Sequence, residues 1–161
     1  MGVLWNPSNP ERVSEVRELQ SAAQTLGVHL DSVELQGPEE LEDAFAAAQG
    51  RVGALIVMRD GHTVGQEPRI AALALESRLP SMYDQRSYVV TGGLMAYGAK
   101  GGEGLRRVTD YVDRIFKGAN PADLPVEQPR EFDFAINLKT AQALGLTIPQ
   151  SLLLQATEVI Q

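Results

Sequence analysis

The side chains best suited to chemistry in this sequence sit just after apolar stretches. Ala54-Leu55-Ile56-Val57-Met58 is unbroken, and Arg59, Asp60, Gly61 and His62 follow at once. An aspartate there could accept hydrogen bonds from a ligand ammonium. Arg59 or Arg86 could hold a carboxylate through two parallel bonds. Asn6 and Asn9 come directly after Val3-Leu4-Trp5, Tyr83, Arg86 and Tyr88 cluster at the end of Leu79-Pro80-Ser81-Met82, and Tyr97 lies in Leu94-Met95-Ala96-Tyr97-Gly98. The tyrosines offer flat apolar faces with a polar tip. This is recognition chemistry. Each residue also has a plain alternative: Asp60 as a turn or cap residue, Tyr83 and Tyr88 as packing, and His62 as a solvated loop residue.

Reaction signatures are missing. The sequence has no G-x-S-x-G elbow, no G-x-x-x-x-G-K-[ST] phosphate loop and no H-E-x-x-H. His29 and His62 stand apart rather than at metal-ligand spacing. The absence of cysteine excludes thiolate metal sites, disulfides and a cysteine nucleophile. Residues 99–104 are glycine-rich but lack G-x-G-x-x-G and read as a flexible loop. No catalytic group, cofactor or metal is therefore expected. A net charge of -7 repels a phosphate backbone and argues against a nucleic-acid partner. No apolar run approaches the roughly 20 residues that span a bilayer.

The elements that must position these residues alternate. At 161 residues and 43% hydrophobic, the chain can form one domain with its own core. Residues 3–5 read as a strand, Asn9 as a cap with Pro10 at the first helical position, and a helix runs to about Leu26, where Gly27 ends it. Residues 28–35 alternate and read as a strand near the sheet edge. A helix after Gly37-Pro38 carries Leu41, Ala44, Phe45 and Ala48 on one face. The apolar run at 54–58 reads as a strand buried on both faces. A helix at 67–77, a strand at 79–83 and a polar, aromatic connection at 84–90 follow. This β-α alternation implies a parallel sheet with helices on both faces: α/β, in three α/β/α layers. Residues whose positions in the sequence are far apart then meet along the carboxyl edge of the strands, where open α/β sheets bind ligands.

Beyond Gly92-Gly93 come a strand at 94–98 and a helix at 104–117 with an apolar stripe. An extended, proline-rich segment at 124–129 follows, then a strand at 132–137, a short helix at 139–144 and another helix at 151–159.

Val3-Leu4-Trp5-Asn6-Pro7-Ser8-Asn9-Pro10, Gly92-Gly93-Leu94-Met95-Ala96-Tyr97-Gly98 and the long stretch from Tyr111 through Gly118-Ala119-Asn120-Pro121 to Leu124-Pro125-Val126-Glu127-Gln128-Pro129 resemble the second lobe of ABC transporter substrate-binding proteins of the tryptophan/tyrosine type. Ile136-Asn137-Leu138-Lys139-Thr140-Ala141 and Leu144-Gly145-Leu146-Thr147-Ile148-Pro149 continue the resemblance over nearly the whole chain. It implies a periplasmic-binding-protein-like (type I) lobe with flavodoxin-like strand order. Family members have two such lobes and bind a small solute between them. It further implies that residues 1–98 and 124–161 form the ligand-binding lobe, with 92–98 and 124–128 as hinge crossings. Residues 99–123 would form an excursion whose helix packs on a first lobe lying outside this sequence. By the same resemblance, an ABC permease is the partner and the location is periplasmic or extracytoplasmic. The sequence shows no signal peptide and opens inside a strand, so upstream sequence is expected.

Without a first lobe, the stripe on helix 104–117 would lie exposed, and a homodimer through it is expected. The sequence leaves open a standalone small-ligand sensor or regulatory domain acting as a dimer. Genomic neighbours would separate it from a transport component. An enzyme on the same fold would need a catalytic constellation that the sequence does not show.

Overall fold

The computed structural model describes residues 1–161, the side chain of Glu103 excepted. Seven strands form one sheet: β1 Gly2–Trp5, β2 Asp31–Glu34, β3 Leu55–Val57, β4 Ser81–Tyr83, β5 Met95–Ala99, β6 Phe132–Asn137 and β7 Glu158–Ile160. Their order across it is β2-β1-β3-β4-β5-β6-β7. The first five are parallel in the expected flavodoxin-like order. β6 then runs antiparallel to β5 and parallel to β7. The helices are α1 Pro10–Thr25, α2 Leu41–Ala48, α3 Glu67–Glu76, α4 Arg86–Val90, α5 Glu103–Phe116, α6 Leu138–Ala143 and α7 Gln150–Leu153.

Alternation along the strands divides the core between two faces. Leu4, Leu55, Val57, Tyr83, Ala96 and Ala135 pack with Leu41 and Phe45 of α2, Ile70 and Ala74 of α3, and Tyr88 and Val89 of α4. Val3, Ile56 and Met58 point the other way, against Val16 and Leu19 of α1. Burying a side chain such as Phe45 or Ile70 contributes about 1.5–3 kcal/mol each. Local signals set the helix ends. Asn9 Oδ1 accepts from Glu11 N at 3.0 Å, Pro10 starts α1, and Gly27 takes φ 66° beyond its end.

Three elements differ from the sequence expectation. Residues 84–90 are not a simple connection, because Arg86–Val90 forms α4 and buries Tyr88 and Val89. The helix expected at 151–159 is only α7, Gln150–Leu153, and the chain then enters β7. Thr157 N donates to Phe134 O at 2.8 Å, and β-branched Val159 and Ile160 continue the pairing against Ile136 and Asn137. The strand expected at 28–35 starts only at Asp31, with Val28 still in the turn, its N–H bonded to Ala23 O at 2.8 Å.

α5 stands apart from the core. Its inner side meets the extended segment 125–129: Tyr111 OH donates to Pro125 O at 2.5 Å and to Glu127 Oε1 at 3.1 Å, and Arg107 pairs with Glu127. Its outer side carries Leu105, Val108, Val112, Ile115 and Phe116, with Leu105 74% and Phe116 86% exposed.

Candidate ligand-binding site

The turns after β1 and β3 are locked together by two side chains. Asn6 is nearly buried. Its Oδ1 accepts from Ser8 N at 2.9 Å and its Nδ2 donates to Asp60 Oδ2 at 2.7 Å. Asp60 Oδ1 accepts from His62 N at 2.7 Å. Thr63, fully buried beneath, takes a 2.8 Å bond from Asp60 N and gives one to Met58 O at 3.2 Å. The Asp60 carboxylate is thus held at a fixed place on the edge. Burial pushes its pKa up, but the hydrogen bonds from His62 N, Asn6 and Asn9 outweigh that, and the carboxyl titrates below its ordinary value. A carboxylate oxygen has room for a second donor, so Asp60 can still accept a ligand ammonium.

Next along the edge is Arg59. It is exposed and forms no hydrogen bond or salt bridge among the described residues. It lies close enough to Asp84, just past β4, to stabilise that carboxylate, as does Arg12 from α1. Burial nevertheless raises Asp84, even though its side chain keeps a solvent-facing side. β4 and β5 meet tightly here: a Cβ on Gly98 would lie 1.9 Å from Asp84 O, so only glycine fits.

The other residues named from the sequence divide. His62 is half-buried in the same turn and contributes its backbone N–H. Asn9 caps α1 and also reaches Asp60. Tyr97 is on the open part of the sheet, 54% exposed, stacked on Phe132 at 5.6 Å and edge-on to Phe134. Tyr83 and Tyr88 correct the expectation that they sit on the edge. They are 2% and 1% exposed and stack on each other at 4.4 Å inside the core, because α4 folds its aromatic ring under the sheet. Burial pushes the Tyr83 hydroxyl up to about 12. That hydroxyl has no well-formed hydrogen bond among the described residues, although Ser81 lies near enough to lower its pKa slightly, whereas Tyr88 OH donates to Thr63 O at 3.2 Å. Arg86 lies on the edge, but its guanidinium is clasped by both oxygens of Glu158, one bond being 2.6 Å. A solute would have to displace Glu158 to use it.

Sequence reasoning missed part of this edge. Because β6 is antiparallel, the starts of β6 and β7 lie beside the ends of β4 and β5. Between them runs a groove of about 770 Å³, bordered by Asp84, Arg86, Gly98, Lys100, Asp133 and Glu158. Asp84 is itself marked in the sequence by its place after the apolar strand at 79–83. Asp133 and Glu158 carry no such signal, since they precede or begin strands. Among the described residues, no group of three His, Asp or Glu is placed to hold a metal.

Comparison with known proteins agrees with this architecture. A family model described as ABC transporter substrate binding protein matches residues 1–160. The tyrosine-binding protein of Clostridioides difficile is 22% identical over 146 residues, 91% of this chain and 42% of that protein. A conserved domain protein from Vibrio cholerae superposes with a TM-score of 0.90 at 25% identity, over 98% of this chain and 53% of its own. An ABC domain from Streptococcus pneumoniae in complex with L-Trp gives 0.89 at 26% identity, over 99% of this chain and 54% of its own. The chain spans about half the length of these relatives. In fold, strand order and sequence, the chain belongs to the ABC transporter substrate-binding protein family.

Proposed function

We propose that the chain is a solute-recognition lobe, one wall of a two-walled clamp. It holds a small amino acid or other carboxylate against the edge formed by Asn6, Asn9, Arg59, Asp60, His62 and Tyr97. The observation that carries this reading is Asp60: a carboxylate kept ionised and oriented by Asn6 and His62 N, beside an Arg59 that forms no hydrogen bond or salt bridge among the described residues. Asp60 accepts the solute ammonium and Arg59 receives its carboxylate. Tyr97, supported by Phe132, offers a flat surface two strand spacings away, about 10 Å. That distance suits a side chain with a ring. The relatives named for tyrosine and L-Trp make aromatic amino acids the first to try. No bond changes in this reading, so the chain is a binding protein and not an enzyme. It delivers to an ABC permease on the extracytoplasmic side, and residues 1–98 and 124–161 make up the lobe. The edge offers one wall only, so affinity is weak, about millimolar, because a tight site covers most of its ligand.

Calorimetric or NMR titration of amino acids and organic acids tests the reading. Asp60→Ala and Arg59→Ala should each weaken a bound zwitterion at least tenfold with the fold intact. An affinity indifferent to both would refute it.

A further inference from the structure

Asp60 is the only aspartate in the chain that is followed by glycine. The asparagines precede Pro7, Pro10, Pro121 and Leu138, so none of them forms the other easily cyclised pair, Asn-Gly. The fold itself does not call for glycine at 61. Its φ is not in the left-handed region, and a Cβ built there meets nothing within 4 Å. What glycine leaves at this place is an exposed amide nitrogen with no side chain over it and no hydrogen bond among the described residues. Such a nitrogen can close on the preceding side chain. The nitrogen of Gly61 attacks Cγ of Asp60, one carboxyl oxygen leaves as water with the acid and amide protons, and a five-membered imide forms. Water then adds at either imide carbonyl, which returns aspartate or gives isoaspartate. Water is the only co-reactant, released and then taken up. The carboxyl must be neutral to lose its oxygen, and the peptide must turn until Cγ faces the nitrogen.

The folded chain opposes both requirements. The carboxylate is gripped on both oxygens, Oδ2 by Asn6 Nδ2 and Oδ1 by His62 N, each at 2.7 Å. Those bonds favour the ionised form. The main chain is held as well: Asp60 N donates to Thr63 Oγ1 at 2.8 Å, and Asp60 O accepts from Thr63 N at 3.1 Å and Val64 N at 3.0 Å. We propose that Asp60–Gly61 is a latent site of isoaspartate formation, and that the clasp from Asn6 keeps Asp60 in an unreactive arrangement. Isoaspartate has one more carbon in the main chain and one fewer in the side chain. Its carboxylate is thereby withdrawn from the place beside Arg59, so the lesion falls on the group that anchors the edge.

The test ages three samples side by side at neutral pH, well below the unfolding temperature: folded wild type, wild type unfolded in guanidinium chloride, and folded Asn6→Ala. Isoaspartate at residue 60 is read by peptide mapping with an endoproteinase that cuts before aspartate but not before isoaspartate, and by electron-transfer fragmentation. The unfolded chain and Asn6→Ala should each accumulate it about tenfold faster than folded wild type, since each unit of carboxyl pKa regained raises the neutral fraction about tenfold. Asn6→Ser keeps a short acceptor for Ser8 N but cannot reach Asp60, and it gives the same reading where Asn6→Ala does not fold. Gly61→Ala, which the open space at 61 admits, should suppress the product in every sample. Folded wild type ageing as fast as the unfolded chain, Asn6 variants ageing no faster than wild type, or isoaspartate arising at Asp31–Ser32 instead would overturn the proposal. None of these results depends on whether a solute binds.

Discussion

Asn6→Ala removes the clasp between the first two loops of the edge, and its cost can be worked through. The variant loses a charge-assisted bond to Asp60 Oδ2 and the bond from Ser8 N to Oδ1. A hydrogen bond to a charged group is worth about 1.5–3 kcal/mol, and the low end applies because Asp60 is partly open to water. With up to about 0.5–1 kcal/mol for the turn, the total is roughly 2 kcal/mol, or about 4–8 °C in Tm for a chain of this size. The pH dependence is distinctive. Asp60 titrates below its ordinary 3.8, so its stabilising bonds are complete above that pH and are lost as pH falls through the lower folded value. The gap between wild type and Asn6→Ala, followed by urea unfolding from pH 7 down to pH 3, should therefore narrow at the acid end. An Asn6→Ala and Asp60→Ala cycle should show a coupling of about 1 kcal/mol or more. A gap that is constant with pH, together with additive single variants, would refute the clasp.

The buried tyrosines should part company. Tyr83→Phe removes an unpaired hydroxyl and should be neutral or stabilising by about 1 kcal/mol, while Tyr88→Phe loses the bond to Thr63 O and should cost about 1 kcal/mol, both by urea unfolding. Gly98→Ala forces a methyl against Asp84 O and should destabilise by about 2 kcal/mol or more, with amide shifts at 84 and 98 in NMR spectra. Tyr97→Ala should weaken L-Trp more than L-Ala without affecting stability. Equal losses for both ligands would remove the ring platform from the proposal.

The fold was legible wherever one local signal sufficed. The unbroken run at 54–58, Asn9 with Pro10, and Gly27 each marked an element correctly. What the sequence concealed depends on distant contacts. β7 is three residues long and is a strand only because β6 lies beside it. α4 exists because Tyr88 can bury its ring on Tyr83, which also removes both tyrosines from the edge. Of the site, Asn6 and Asp60 were visible as strand-end residues, but their mutual bond spans 54 positions. Arg86 looked available because its partner, Glu158, lies 72 positions away.

The reversal of direction between β5 and β6 governs where the chain's ends come to rest. β1 runs toward the solute edge and β7 runs away from it, with Gly2 and Ile160 at about the same level. Met1 and Gln161 therefore both lie on the side remote from Asp60. A fluorophore, a purification handle or a sensor-chip tether could be attached at either terminus without obstructing entry to the recognition edge.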